Sequence, residues 1–196
     1  MKTMLVRWAA AAAIVVGAAV PALAGSGDAV SAPKDAAAFS INIDLSDRKL
    51  YVMDGEDIVD SYSVAVGKPR HPTPRGTFAA RRIVWNPRWV PPNERWARDK
   101  QARAPGDPRN PMGRVKIFFS DPDYYIHGTR EVDSLGEAES HGCVRMRNSE
   151  VIALAKRVMA NGGARRDPAW YRRVLNRVTR TQEVHLSNPV TVRVRA

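Results

Sequence analysis

From residue 41 onward apolar and polar residues alternate. Ile41, Ile43 and Leu45 are separated by Asn42 and Asp44, and Leu50-Tyr51-Val52-Met53 follows the polar turn Ser46-Asp47-Arg48-Lys49. A period of two predicts two half-buried antiparallel strands. Asp54-Gly55 is a type I′ hairpin dipeptide, so a third strand is predicted through Ile58-Val59, Tyr62, Val64 and Val66, ended by Gly67-Lys68-Pro69. The chain therefore opens as a β-meander, with order expected to begin near Phe39.

Pro72, Pro74 and Gly76 mark the next turn, and Thr77-Phe78-Ala79 begins a strand running to about Val84. Between Trp85 and Gly113 the periodicity is lost. This stretch holds six prolines (87, 91, 92, 105, 108 and 111) and Trp85, Trp89 and Trp96, with room for a short helix around Glu94 to Arg103. It reads equally as a lid or as a surface loop stapled to the core by tryptophans. Val115 to Phe119 and Tyr124 to Ile126 are predicted strands around a turn at Asp121-Pro122-Asp123. Val151, Ile152, Leu154, Ala155, Val158 and Met159 recur at helical spacing, with Asn148 or Ser149 as N-cap and Asn161-Gly162-Gly163 as the stop. A second, basic helix is predicted over Trp170 to Arg180, and Val184, Leu186, Val190, Val192 and Val194 predict closing strands around a turn at Asn188-Pro189.

The first 24 residues have a different character. Lys2 and Arg7 form a positive start, Ala9 to Val20 is an uncharged apolar run, and Ala22-Leu23-Ala24 is a small-x-small cleavage signal, the pattern of a secretory leader. An apolar run of about a dozen residues is short of the roughly 20 that a spanning helix needs, so no stable membrane insertion is expected after cleavage. Residues 25–38 are mostly Gly, Ser, Ala, Pro and Asp, a linker composition, which leaves 39–196 as one domain. Loss of Lys2 and Arg7 with the leader reduces the formal charge from +11 to +9. In an exported chain without a nucleic-acid motif, that charge meets the periplasm or cell-wall space rather than nucleic acid. A solvated, arginine-rich surface explains it equally well.

The chain has one cysteine, Cys143, which cannot close an internal disulfide. It is either a small buried hydrophobe or a working thiol. Its surroundings, Ser140-His141-Gly142-Cys143-Val144-Arg145-Met146-Arg147-Asn148, favour the second reading. A thiol attacks as thiolate, which needs a base in reach and a positive environment; His127 and His141 are the candidate bases and Arg145 the candidate cation. Gly142 allows a tight turn that brings main-chain N–H groups toward a substrate carbonyl. Spacing does not choose between the two histidines. His71 and His185 lie in a proline-rich turn and a predicted strand, without an assigned role. There is no H-E-x-x-H or Cys-x-x-Cys spacing, so neither a metal nor another cofactor is expected.

The segment H-G-T at 127–129, ten residues, then S-H-G-C-V-R-M-R-N resembles the active-site signature of the L,D-transpeptidase catalytic domain family. Upstream, I-D-L-S-D-R-K-L-Y-V-M-D-G, V-A-V-G-K-P, T-P-R-G-T-F, N-P-M-G and Y-Y-I-H-G-T follow in the family's order, so the resemblance covers residues 41 to 160. It implies a mainly β domain with a minor α component, a curved β-sandwich or barrel with a helix after the catalytic cysteine. It also implies Cys143 as nucleophile and His127 as base, with the imidazole oriented by the carbonyl of Gly128. Gly142 and Cys143 would hold the oxyanion, and Ser140 and His141 would shape the pocket. Arg145 would support thiolate or substrate, or form an internal salt bridge.

The activity implied is cofactor-free acyl transfer from a peptidoglycan tetrapeptide stem to an amine, on a second stem or on a lysine of an envelope protein. Two rivals stand beside it: an L,D-carboxypeptidase or cysteine amidase with water as acceptor, and a non-catalytic peptidoglycan-binding module.

Overall fold

The computed structural model describes residues 39–196. The expected leader (1–24) and linker (25–38) lie outside the described residues, among which no helix is long and apolar enough to cross a membrane. Strands β1 (Phe39–Asp44), β2 (Lys49–Asp54) and β3 (Asp57–Ser63) form the expected meander. Arg48 in the first turn takes φ of 52° and Gly55 in the hairpin 62°, as left-handed turn positions require. β4 (Gly76–Trp85), β5 (Val115–Ser120), β6 (Tyr124–Thr129), β7 (Val144–Arg147) and β8 (Gln182–Arg195) complete one sheet in the order β3-β2-β1-β8-β4-β5-β6-β7.

The two edges of this sheet nearly meet. Past β3 the chain runs on as Val64-Ala65-Val66, and Ala65 exchanges main-chain hydrogen bonds with Arg145 of β7 (3.0 and 2.9 Å). The curved, nearly closed sheet is the expected mostly β architecture, with two α-helices among the described residues, α1 (Asn148–Asn161) and α2 (Pro168–Asn176). Its core takes Ile41 and Ile43 from β1, Ile117, Ile126 and Val144 from β5 to β7, Leu154 and Val158 from α1, and Val190 and Val192 from β8. Each such side chain contributes about 1.5–3 kcal/mol when fully buried, and together they join the C-terminal residues to the region carrying the signature.

Several local expectations need correction. Ile58 and Val59 are 60% and 46% exposed, because the buried residues of the third apolar run are Val64 to Val66, which have left β3 to cross toward β7. The helix expected around Glu94 to Arg103 is only a 3-10 turn, Arg95–Ala97; beyond it Trp89 and Arg103 pair their main chains. α2 starts earlier than expected, at Pro168, with Asp167 capping the Trp170 N–H at 2.7 Å. The two closing strands are one, β8, in which Arg81 of β4 stands opposite the four residues Leu186 to Pro189. The expected turn at Asn188-Pro189 is therefore a bulge, held by the Asn188 N–H on the carbonyl of Gly162 (3.0 Å). Asn148 does not cap α1, for its side chain is engaged elsewhere.

The irregular stretch after β4 starts at Asn86, which is 2% exposed with φ of 49°. Its amide donates to the carbonyls of Val174 (2.9 Å), Arg177 and Arg180 (both 3.2 Å) and accepts from Arg114 Nε (3.0 Å). Its own carbonyl accepts from the Thr181 hydroxyl at 2.8 Å. One side chain thus fastens both ends of the stretch to the C-terminus of α2. Asn86→Ala is expected to lower stability by about 2–4 kcal/mol, since buried polar groups lose partners and alanine is strained at positive φ. Urea denaturation measures this, and a loss under about 0.5 kcal/mol would show that the fastening lies elsewhere.

Candidate active site

Alternation along three neighbouring strands sorts core from chemistry. Ile117, Ile126 and Val144 of β5, β6 and β7 point into the core, so the residues between them, Lys116 and Phe118, Tyr125 and His127, and Arg145, occupy the opposite face. Lys116 stands across from His127, and His127 across from Arg145. β6 and β7 run parallel, so the segment entering β7 arrives beside the start of β6. Cys143, half-buried, is thereby set next to Tyr125. The two parts of the signature meet through main-chain pairing rather than through any direct connection.

His127 is 3% exposed, and its Nδ1 donates to the carbonyl of Gly128 at 2.8 Å. That bond selects the tautomer in which Nε2 carries the lone pair. Gly128 can approach so closely because it lacks a side chain: a Cβ there would lie 2.2 Å from Asn148 Oδ1. The Asn148 amide accepts from the Arg114 N–H (2.9 Å) and donates to the carbonyl of Thr129 (3.1 Å), clamping the end of β6.

At the other residue of interest, the Cys143 thiol donates to the carbonyl of Asp123 at 3.3 Å. Gly142 has φ of 108°, and a Cβ on it would meet the Tyr124 ring at 2.8 Å. Its N–H is already taken by Ser140 Oγ (3.0 Å), whose hydroxyl donates to the carbonyl of Cys143. Of the two expected oxyanion donors, Gly142 is therefore occupied, while the Cys143 N–H has no acceptor among the described residues. Ser140, 1% exposed, braces the turn further through main-chain bonds to Val66 and Lys68. Arg145 forms the internal ion pair, with Nη1 2.7 Å from Glu131.

His141 stacks on Trp96 of the irregular stretch, ring centroids 3.9 Å apart, and sits 4.8 Å from His71. Glu94 accepts from Trp96 Nε1 (2.9 Å) and approaches His71 (3.9 Å). His71, without a role in the sequence reading, thus belongs to the site's rim, while His185 pairs with Glu183 on the surface. A separate cavity of about 570 Å³, lined by Arg114, Thr129, Arg147 and Asn148 among others, lies at the far ends of β6 and β7 and does not include Cys143 or His127.

The family model for the L,D-transpeptidase catalytic domain (YkuD) matches residues 38–191. The chain belongs to this family. A putative L,D-transpeptidase YkuD of Bacillus licheniformis is 33% identical over 128 residues, covering 65% of this chain and 64% of the relative. A putative L,D-transpeptidase YqjB of Bacillus subtilis is 38% identical over 98 residues, 47% of this chain and 51% of the relative. The chain thus spans between half and two thirds of the length of these relatives. Among solved structures, an L,D-transpeptidase from Mycobacterium smegmatis shares the fold with a TM-score of 0.50 at 19% identity, over 81% of this chain and 58% of that one.

The electrostatics of this L,D-transpeptidase domain keep both key groups neutral. Burial pushes His127 down to about 3, aided by the positive charges of Arg145 and Lys116 against the pull of its bond to Gly128. Burial likewise pushes the Cys143 thiol up, opposed by hydrogen bonds from Tyr125 and by the charges of Lys116 and Arg145. Lys116 and Tyr125 are site residues the sequence reading missed. A lysine in an alternating strand looks solvent-facing until its neighbours are known.

His127 also links stability to acid. The unfolded chain binds its proton near 6.5 and the folded chain only near 3, so stability is lost as pH falls through that interval and is intact above it. His141, lowered to about 4 by partial burial and by Lys68, His71 and Arg145, adds in the same direction. His127→Gln should lose less of its Tm than the parent between pH 7 and pH 4. Equal losses in thermal melts would show that His127 is not buried in the neutral form.

Proposed function

We propose that this domain is an exported cysteine acyltransferase of the peptidoglycan, an L,D-transpeptidase with Cys143 as nucleophile and His127 as base. The observation that carries this reading is the neutral imidazole, fixed by the carbonyl of Gly128 with its Nε2 lone pair available, on the same sheet face as the lone thiol. In the resting arrangement the thiol proton is directed at the carbonyl of Asp123, so it turns to His127 as substrate enters.

The first step forms a bond between Cys143 Sγ and the carbonyl carbon of the third residue of a tetrapeptide stem, with the thiol proton passing to His127. The Cys143 N–H, which has no acceptor among the described residues, would hold the oxyanion. Collapse breaks the peptide bond, and His127 returns the proton to the departing amine of D-Ala. Its low pKa suits this return, since a strained imidazolium is a strong acid. An acceptor amine then attacks the thioester, loses a proton to His127, and releases the thiol. The acceptor is a second stem, giving a 3→3 cross-link, or a lysine of an envelope protein, in the periplasm or cell-wall space to which the leader would direct the chain. Water as acceptor would make the same site a carboxypeptidase.

Cys143→Ser is expected to abolish thioacylation without unfolding, because a serine hydroxyl is far harder to ionise. His127→Ala should lower turnover of tetrapeptide muropeptides by about 10²-fold or more, and His141→Ala by less. Mass analysis of products reads all three, and turnover by the serine variant, or a larger loss at His141, would sink the assignment.

The stretch from Trp85 to Gly113 bears on the choice of acceptor. Trp85 is buried in the core, whereas Trp96 lies on His141, so the stretch is both fastened and laid over the rim. We read it as a lid that limits water at the thioester. Shortening Asn93 to Asp107 should raise the share of hydrolysed product relative to cross-linked product in a variant that still folds; an unchanged ratio would leave the stretch as a staple only.

A further inference from the structure

The neutral pair poses a problem for catalysis. An imidazolium cannot stabilise the thiolate beforehand if His127 protonates only near 3, and burial opposes thiolate formation. Another positive group has to favour the charged sulfur. Arg145 is compensated by Glu131 at 2.7 Å. Arg82, whose guanidinium lies 3.7 Å over the Phe118 ring, is compensated by Asp121 and Glu183. Lys116 differs from both: among the described residues no carboxylate pairs with it.

Lys116 is held by aromatic faces instead. Its Nζ lies 4.2 Å from the centre of the Tyr125 ring and 5.9 Å from that of Phe118. Tyr125 stands beside Cys143 through the strand register and draws its thiol pKa down, and its ring is 5.5 Å from that of His127. An ammonium on an aromatic face keeps its field, because the ring's quadrupole attracts it without supplying a counter-charge.

We propose that Lys116 is the positioning residue of the Cys143 thiolate: seated on the face of Tyr125 and without a carboxylate partner, its ammonium supplies the uncompensated positive field that makes the sulfur a nucleophile. The register sets Lys116 across from His127, on the face where Cys143 arrives beside Tyr125, so a charge formed on the sulfur acts on this lysine. The other charged and titratable groups around it are Arg82 from β4, Tyr125 and His127 from β6, Arg145 with its partner Glu131, and Asp121 and Asp123 of the β5–β6 turn. Burial lowers Lys116 to about 8, opposed by the charge of Cys143, so it still carries its proton at neutral pH. The same ammonium disfavours the imidazolium of His127, which hastens return of the proton to the leaving amine.

This inference rests on Cys143 as nucleophile, but its test does not need the transfer reaction. Cys143 is the sole cysteine, so iodoacetamide alkylation followed by mass reports its thiolate fraction as a function of pH. Lys116→Met should raise the apparent thiol pKa and slow alkylation at pH 7 by about tenfold, the equivalent of one pKa unit. Lys116→Arg should restore most of the rate. A purely structural lysine predicts the opposite sign, because loosening the site would admit water and let the thiol fall toward its ordinary value.

An unchanged or lowered thiol pKa in the methionine variant, or an arginine variant as slow as methionine, would overturn the proposal. Lys116→Gln, which keeps a polar side chain of similar reach, covers the case in which the methionine variant fails to fold. It should be alkylated about tenfold more slowly than the parent at pH 7, as the methionine variant is. Alkylation of the glutamine variant at the parental rate would overturn the proposal equally. Normal alkylation shifts with no muropeptide product would instead leave Lys116 in place and refute the transpeptidase reading.

Discussion

The parallel pairing of Tyr124–Thr129 with Val144–Arg147 is the constraint from which the site follows. Parallel neighbours need a crossover, and here it is the segment from Arg130 to Cys143, long enough to carry Glu131 to Arg145 and to make the tight turn Ser140-His141-Gly142. Because side chains alternate, one register places Ile126 and Val144 in the core and leaves Tyr125, His127 and Arg145 on the other face. A slip by one residue would exchange the two sets and bury charge where α1 packs. Ala65, bonded to the far side of β7, makes such a slip costlier still.

On that face desolvation outweighs every local attraction. It holds His127 and Cys143 neutral although each has partners that favour its charge. A site of this kind stores little charge at rest and responds strongly to any cation it contains, since the effective dielectric is low. The pairing of Arg145 with Glu131 and of Arg82 with Asp121 therefore matters as much as the presence of the arginines: each partner cancels a field that would otherwise reach the sulfur.

Asparagine amides fix the irregular parts. Asn86 binds the start of the long stretch to α2. Asn110, 4% exposed, bridges the carbonyls of Pro87 (2.8 Å) and Ala104 (3.1 Å) and accepts from the Met112 N–H (3.0 Å). Asn148 joins its end to the end of β6. Each replaces main-chain pairing that a proline-rich segment cannot make for itself, with one acceptor and two donors on a short, stiff side chain. The rim formed by Trp96, His141, His71 and Glu94 depends on this ordering.

Period-two alternation and the dipeptide Asp54-Gly55 were enough to read the opening meander and β4 to β6, and helical spacing to read α1, because those patterns are local consequences of which face is buried. The motifs around His127 and Cys143 were legible as a family resemblance, which chose between His127 and His141 where spacing did not. What the chain could not reveal by itself depends on contacts between distant residues. The four residues of β7 are too few to show a period, and Asn188-Pro189 looks like a turn until β4 holds both sides of it in one strand. Asn148 has the composition of a cap and the role of a clamp. His71 and Lys116 had no role in the sequence, and only the tertiary structure sets one beside His141 and the other on the Tyr125 ring, because burial and electric field belong to the assembled neighbourhood and not to the residue.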